Sequence, residues 1–150
     1  MIAARPSARD SLLFVYGTLR TFVPTHAGNR LRRASSLVAR ARIAGRLYDL
    51  GRYPGLAPPR RPGDWVVGEV YRLTNPRFTL RALDLYEAGP SPALARFTRE
   101  RATAYVGPRA LRRVWVYRFV GPVRAERRIA GGDYERHSSV LARPPAPVAP

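Results

Sequence analysis

A carboxylate on a helix and a glycine-containing turn are the two features of this sequence best suited to chemistry. Leu80, Leu83 and Glu87 stand at positions i, i+3 and i+7 of a stretch that favours a helix, so they share one face. Glu87 is therefore expected to point along the apolar side, toward the core or a cleft. A partly desolvated carboxylate has a raised pKa and is suited to proton transfer. The alternative is a boundary residue whose carboxylate reaches water.

The turn follows a short apolar run, Leu12–Val15, which predicts a buried strand that stops at Tyr16-Gly17-Thr18. Gly17 allows backbone angles that other residues avoid, and it leaves space for a ligand to approach. Successive backbone N–H groups in such a turn can converge on an anion or an oxyanion. An ordinary turn after a core strand is the alternative.

The elements that must position these residues are five or six strands, one main helix and one minor helix. Their order favours antiparallel pairing, which predicts an α+β fold: a small mixed, mainly antiparallel β-barrel or curled sheet with the main helix against it. Thr74 or Asn75 can cap the main helix, and Pro76 suits its first turn. The predicted strands are Ser11–Tyr16, Ser36–Tyr48, Trp65–Leu73, Phe97–Val106 and Arg112–Val120, the predicted helices are Thr25–Ala34 and Phe78–Glu87, and Asp49–Leu56 is predicted to be a loop.

The composition limits the classes of protein to consider. The chain has 150 residues, no cysteine, only two histidines and no apolar stretch of the length of a membrane span, so a zinc site, disulfides and a membrane helix are disfavoured. We expect a cytoplasmic protein with a flexible arm at 1–10, one domain at 11–140 and a disordered, Pro-rich tail at 141–150. The net charge of +17, carried entirely by arginine, also permits incidental nucleic-acid binding at low salt.

Several segments together resemble the gamma-glutamylcyclotransferase-like (AIG2-like) family, over a range from about Phe14 to Tyr134. Their order and spacing are more specific than any one of them. The segments are Val15-Tyr16-Gly17-Thr18-Leu19, Gly45-Arg46-Leu47-Tyr48-Asp49-Leu50-Gly51-Arg52-Tyr53-Pro54-Gly55-Leu56, Val67-Gly68-Glu69-Val70-Tyr71, Leu83-Asp84-x-x-Glu87 and Gly132-Asp133-Tyr134.

The resemblance implies an enzyme that cyclises a small γ-glutamyl substrate to 5-oxoproline and releases an amine, with no metal or organic cofactor. Asp84, one turn before Glu87, is expected to be a structural hydrogen-bonding residue. The implied roles are general base and acid for Glu87, backbone N–H donors for Tyr16, Gly17, Thr18 and Leu19, pocket wall for Tyr53, Pro54 and Gly55, and a contact with a substrate carboxylate for Arg99. The alternative for Arg99 is an exposed strand arginine.

The sequence departs from the family pattern at two positions. Ala88 follows the glutamate where the family has glycine, and Phe97-Thr98-Arg99 stands where Tyr-x-Arg is expected. The leaving amine is therefore left open. The alternatives are a non-catalytic domain on the same fold that binds a small ligand, or one that binds nucleic acid through its arginine-rich surface. A serine hydrolase built on His137-Ser138-Ser139 is disfavoured, because the sequence offers no strand–turn–helix elbow there.

Overall fold

The computed structural model describes residues 11–17, 19, 26–51, 53–88 and 96–141. The predicted arm at 1–10 and the tail beyond residue 141 lie outside the described residues. The described chain forms β1 (Leu12–Val15), α1 (His26–Arg33), β2 (Ser35–Ala44), β3 (Arg46–Asp49), β4 (Pro54–Ala57), β5 (Trp65–Leu73), α2 (Pro76–Ala88), β6 (Phe97–Val106), β7 (Arg109–Phe119), a single 3₁₀ turn (Ala125–Arg127) and α3 (Tyr134–Leu141).

Five strands close into a barrel in the order β1-β5-β2-β6-β7, and β3 pairs with β4 in a separate two-stranded sheet. The barrel is antiparallel except where β7 meets β1 in parallel, with Leu13 opposite Trp115. The prediction of a small, mainly antiparallel barrel with one main helix is confirmed.

Alternation along the strands divides the apolar residues into two cores. The barrel interior is filled by residues such as Phe14 and Val116. The opposite face of the same strands, with Leu13 on β1 and Tyr117 on β7, packs against the helices. The second core therefore fixes α2 on the outer wall of the barrel, beside the end of β1.

Helix α2 follows the sequence signals closely. It begins at Pro76, and the backbone N–H of Phe78 donates to the Asn75 side chain at 3.4 Å, a weak N-terminal cap. Leu80 and Leu83 are both buried in the core between helix and barrel. Truncating either to alanine would cost about 2 to 5 kcal/mol, so this face holds the helix firmly.

The structure differs from the sequence-based elements at four places. The long strand predicted to run to Tyr48 is broken at Gly45 into β2 and β3, and the predicted loop contains β4. Strand β7 begins at Arg109 rather than Arg112 because its pairing with β6 continues as far as Val106 opposite Arg109. It carries an extra residue opposite Ala102–Ala104, with Arg113 at a φ of 65°. Helix α3 was not predicted.

Candidate active site

The turn after β1 touches the first residue of β4. A Cβ atom built on Gly17 would lie 2.6 Å from Cγ and 2.8 Å from Cδ of Pro54, closer than real Cβ atoms come. The φ of Gly17 lies outside the left-handed region, so glycine is needed here for close approach rather than for an unusual backbone angle. The turn at Gly17 and the segment at Pro54, which the sequence analysis assigned to one site, are therefore in contact.

An aromatic wall continues from this contact. Gly55 packs against Phe119, whose Cβ would lie 2.9 Å from a Cβ on that glycine. The Phe97 ring lies 5.4 Å from the Phe119 ring and meets Tyr53 edge-on at 5.7 Å. Phe97, at the position where the family pattern has tyrosine, therefore stands beside the phenol of Tyr53, which is 45% exposed.

A chain of hydrogen bonds links the turn to α2. The hydroxyl of Tyr16 donates to the backbone oxygen of Tyr117 at 2.6 Å. The hydroxyl of Tyr117 donates to Oδ1 of Asp84 at 2.6 Å, and its distance to the Leu80 carbonyl oxygen is longer, 3.3 Å. The sequence analysis assigned no role in the site to Tyr117. The alternation along β7 does predict that the side chains of Tyr117 and Val116 lie on opposite faces of the strand.

Asp84 also binds Arg99. Nε donates to Oδ1 at 2.9 Å and Nη2 donates to Oδ2 at 3.1 Å, a two-point contact, while the guanidinium lies 4.3 Å above the Trp115 ring. Asp84 is thus a hydrogen-bonding residue, as expected. One edge of the Arg99 guanidinium binds Asp84 and one face lies on Trp115, whereas its Nη1 makes no hydrogen bond with the described residues.

Glu87 belongs to the last turn of α2, three residues after Asp84, which corresponds to about 4.5 Å along the helix axis. Its side chain lies outside the described part of the structure, as do Thr18 and the side chain of Ala88. Leu19 is described, and its side chain is buried in the core beneath the helices. Among the nine residues assigned from the sequence, Tyr16, Gly17, Tyr53, Pro54 and Gly55 lie around the end of β1 and the start of β4, Arg99 is paired with Asp84 one helical turn before Glu87, and Leu19 packs in the core.

The His-Ser pair of the sequence does not form a catalytic arrangement. Nε2 of His137 lies 2.9 Å from Oδ2 of Asp49, whereas the Ser138 hydroxyl donates to the Tyr134 carbonyl oxygen at 2.7 Å. Burial raises the pKa of Asp49, but the hydrogen bonds from His137 and from the backbone of Gly51 together lower it by more than burial raises it. The pKa of Asp49 is therefore below its usual value. The contact between His137 and Asp49 joins α3 to the hairpin that carries Pro54, and its role is structural.

Within the described ranges, no group of three or more His, Asp or Glu side chains could hold a metal ion. No helix in that part of the chain is long and apolar enough to cross a membrane.

The family model for gamma-glutamyl cyclotransferase, AIG2-like, matches residues 13–136. The chain belongs to this family. The match contains every element that builds the site, from β1 to the start of α3. No curated protein matches the sequence.

Solved structures with the same fold include proteins from bacteria, archaea and animals. YkqA from Bacillus subtilis is 23% identical with a TM-score of 0.65, and the match covers 87% of this chain but only 42% of YkqA. An uncharacterised protein from Pyrococcus horikoshii is 15% identical with a TM-score of 0.65 and is covered to 95%, this chain to 87%. An AIG2-like protein from Mus musculus is 24% identical with a TM-score of 0.57, over 78% of this chain and 81% of the mouse chain. At these identities the likeness is one of fold.

Proposed function

We propose that the protein is a gamma-glutamyl cyclotransferase that converts a γ-glutamyl amine to 5-oxoproline and the free amine. The observation that carries the proposal is the hydrogen-bonded path from Tyr16 through Tyr117 to Asp84, because it joins the turn after β1 to the helical turn that precedes Glu87. Family membership over residues 13–136 agrees with it.

Glu87 is the proposed general base and acid. At neutral pH the substrate enters with its α-amino group largely protonated, and Glu87 takes that proton. The amine nitrogen then attacks the γ-carbonyl carbon of the same molecule and closes a five-membered ring. As the bond from that carbon to the leaving nitrogen breaks, Glu87 returns the proton to the departing amine. The α-nitrogen loses two protons in all: Glu87 passes the first to the departing nitrogen, and the second, released by the ring nitrogen after its attack, ends on the freed amine, which leaves as an ammonium ion. The protons therefore balance without a cofactor.

The nucleophile is tethered to its own electrophile, so the protein has to supply orientation more than reactivity. Backbone N–H groups of Tyr16, Gly17, Thr18 and Leu19 are proposed to stabilise the oxyanion formed on the γ-carbonyl oxygen. The close contact of Gly17 with Pro54 supports this role, because it fixes the turn against a second element.

Arg99 is the proposed anchor for a substrate carboxylate. Its Nε and Nη2 are bound by Asp84 and its ring neighbour is Trp115, so the guanidinium is held in one orientation with Nη1 left to donate. Asp84 is then a positioning residue that acts through Arg99. The Tyr53, Pro54 and Gly55 wall, with Phe97 behind Tyr53, would contact the γ-linked amine and select among amines.

The test is incubation of the purified chain with a panel of γ-glutamyl compounds: γ-glutamyl amino acids, simple γ-glutamylamines and ε-(γ-glutamyl)-lysine. We expect at least one to yield 5-oxoproline and free amine in equal amounts, measured by mass spectrometry. Absence of 5-oxoproline from every member of the panel, at a protein concentration where a γ-glutamyl ligand binds, would contradict the proposal and favour a ligand-binding domain.

A further inference from the structure

A second feature of the molecule, an arginine stacked among aromatic rings, lies on the outer wall of the barrel. The guanidinium of Arg42 on β2 lies 4.3 Å above the ring of Trp65 on β5. The Trp65 ring meets Tyr105 on β6 edge-on at 5.5 Å, and Tyr105 is the register partner of Arg42. Arg42 is exposed and the two rings are half-exposed. Three adjacent strands thus contribute to one patch, Arg42, Trp65 and Tyr105, called here the β2–β5–β6 patch.

The cation of this patch, Arg42, has no counter-ion in the part of the chain that the structure describes. Among the described residues Arg42 has no hydrogen-bond or ion-pair partner, in contrast to Arg40, which pairs with Asp133 at 3.1 Å. A guanidinium fixed by a ring has already lost much of its side-chain freedom, so it binds an anion at a smaller entropic cost. The chain carries 27 basic and 10 acidic residues, which favours an anionic partner over a neutral one.

The patch continues along β6. Ala102, Ala104 and Val106 face the barrel interior, so Tyr105 and Arg101 face outward on the same side of the strand. They are separated by about 13 Å, four residues of an extended strand. The Arg101 guanidinium lies 3.5 Å above the ring of Trp115. A second pairing of arginine with an aromatic ring therefore stands in line with the first.

We propose that the β2–β5–β6 patch binds single-stranded nucleic acid, with Arg42 on the phosphates and the aromatic rings stacked on bases. A basic surface alone would suit any polyanion, including an anionic lipid surface. Half-exposed rings beside the arginine favour bases, because each base offers a π face for stacking. Single strands are favoured over duplexes, whose bases are stacked on one another. The proposal is independent of the cyclisation reaction.

The experiment uses Trp65, one of the two tryptophans of the chain, as the reporter. A Trp115→Phe variant leaves Trp65 as the only tryptophan. It is titrated at physiological salt with oligothymidylate of twelve nucleotides and, in parallel, with linear polyphosphate of similar charge and with a twelve-base-pair duplex. We expect oligothymidylate to quench Trp65 and to bind more tightly than the other two. Equal or tighter binding of polyphosphate or duplex, or no binding of oligothymidylate at that salt, would overturn the proposal.

Matched variants separate the patch from the overall charge. Arg42→Gln and Arg77→Gln each remove one exposed arginine, the second on α2. We expect only Arg42→Gln to weaken oligothymidylate binding and to lower the slope of log affinity against log salt by about 0.7. An equal loss in both variants would mean diffuse attraction and would overturn the proposal.

The stacking part is tested by Tyr105→Ala, with Phe78→Ala as the exposed aromatic control on α2. Loss of one stacked base lowers affinity by about 5- to 150-fold, expected in Tyr105→Ala alone. Thermal melts of both variants show whether the fold is intact, and Tyr105→Leu repeats the measurement if Tyr105→Ala melts early. Unchanged affinity in the folded Tyr105 variant would overturn the proposal.

Discussion

Two aspartates, Asp84 and Asp64, each bind an arginine and further donors, yet they hold together very different parts of the molecule. Asp84 on α2 accepts hydrogen bonds from Tyr117 on β7 and Arg99 on β6, which lie 33 and 15 residues away in the sequence. Asp64 accepts hydrogen bonds from the backbone N–H groups of Arg60 and Arg61, four and three residues before it, and from one long-range partner, Arg128 at 2.9 Å.

The difference lies in what each aspartate fixes. Asp64 closes a local turn between β4 and β5, and the backbone N–H of Arg60, with Arg128 and the N–H of Arg61, lowers its pKa to about 2. Asp84 joins three elements around the candidate site. The same residue type with a similar number of donors therefore has a local role at one place and a site-building role at the other. Only the second should matter for turnover.

The largest effect is expected from a change at Glu87, whose carboxylate is proposed to take part in the reaction, unlike those of Asp84 and Asp64. Glu87→Gln keeps the shape but cannot accept the substrate proton, so turnover should fall by about 100- to 10,000-fold. Stability and the affinity for a γ-glutamyl ligand should change little. The assay pairs initial rates with calorimetric binding and a thermal melt. A loss of less than about tenfold is too small for a removed general base and would exclude Glu87 from that role.

Asp84→Asn should affect both turnover and stability. Arg99 and the Tyr117 hydroxyl lose a charged acceptor, and since the Asp84 side chain is 41% exposed we expect a cost of only about 1 to 2 kcal/mol. Misplacing Arg99 and the helical turn by a fraction of an ångström should lower turnover by about 10- to 100-fold. A rise in KM larger than the fall in kcat would point to Arg99 as the substrate anchor. Wild-type kinetics with reduced stability would make Asp84 no different from Asp64.

Gly17→Ala tests the other contact of the site. The added Cβ would overlap Pro54, so the turn and β4 must separate, at about 1 to 3 kcal/mol. We expect turnover to fall about tenfold, since the donors of the turn move. Gly131→Ala is the matched control, because a Cβ there meets nothing within 4 Å. Equal kinetics for the two variants would remove Gly17 from the site.

Asp64→Asn is expected to leave turnover unchanged and to lower stability slightly, in a pH-dependent way. The folded pKa of Asp64, about 2, lies below the unfolded value of about 3.9. Its stabilisation is therefore fully present above about pH 4 and is lost as the pH falls from about 4 through about 2. Urea melts at pH 6 should distinguish the variant from wild type, and melts near pH 2 should not. A difference that persists near pH 2 would contradict the assigned partners.

Local sequence patterns were enough to predict much of the fold. Trp65–Leu73 and Phe97–Val106 were predicted with the observed bounds, because each alternates cleanly between faces. Strand β4 escaped prediction because Pro54-Gly55 is typical of a loop. It forms a strand here only because Pro54 occupies the first position of a two-stranded sheet, where no ladder hydrogen bond from its nitrogen is needed.

The candidate site was predictable in its parts but not in its connections. The turn at Gly17 and the segment at Pro54 could be named from the sequence, whereas the reason for glycine, the contact between them, could not. The partners of Asp84 depend on register across the barrel, which places Arg99 opposite Tyr117. No local pattern encodes a contact of that kind, because it exists only after the strands have paired.

In the proposed reaction the γ-carbonyl is attacked by the substrate's own amine and not by water, and products formed in ¹⁸O-labelled water distinguish the two nucleophiles. The best substrate of the panel is turned over by the wild-type chain, and the products are weighed by mass spectrometry. Cyclisation predicts unlabelled 5-oxoproline with an equal amount of free amine and no glutamate beyond that in an enzyme-free control. Glutamate that carries ¹⁸O in its γ-carboxylate would show hydrolysis and would exclude cyclisation as the reaction of this protein.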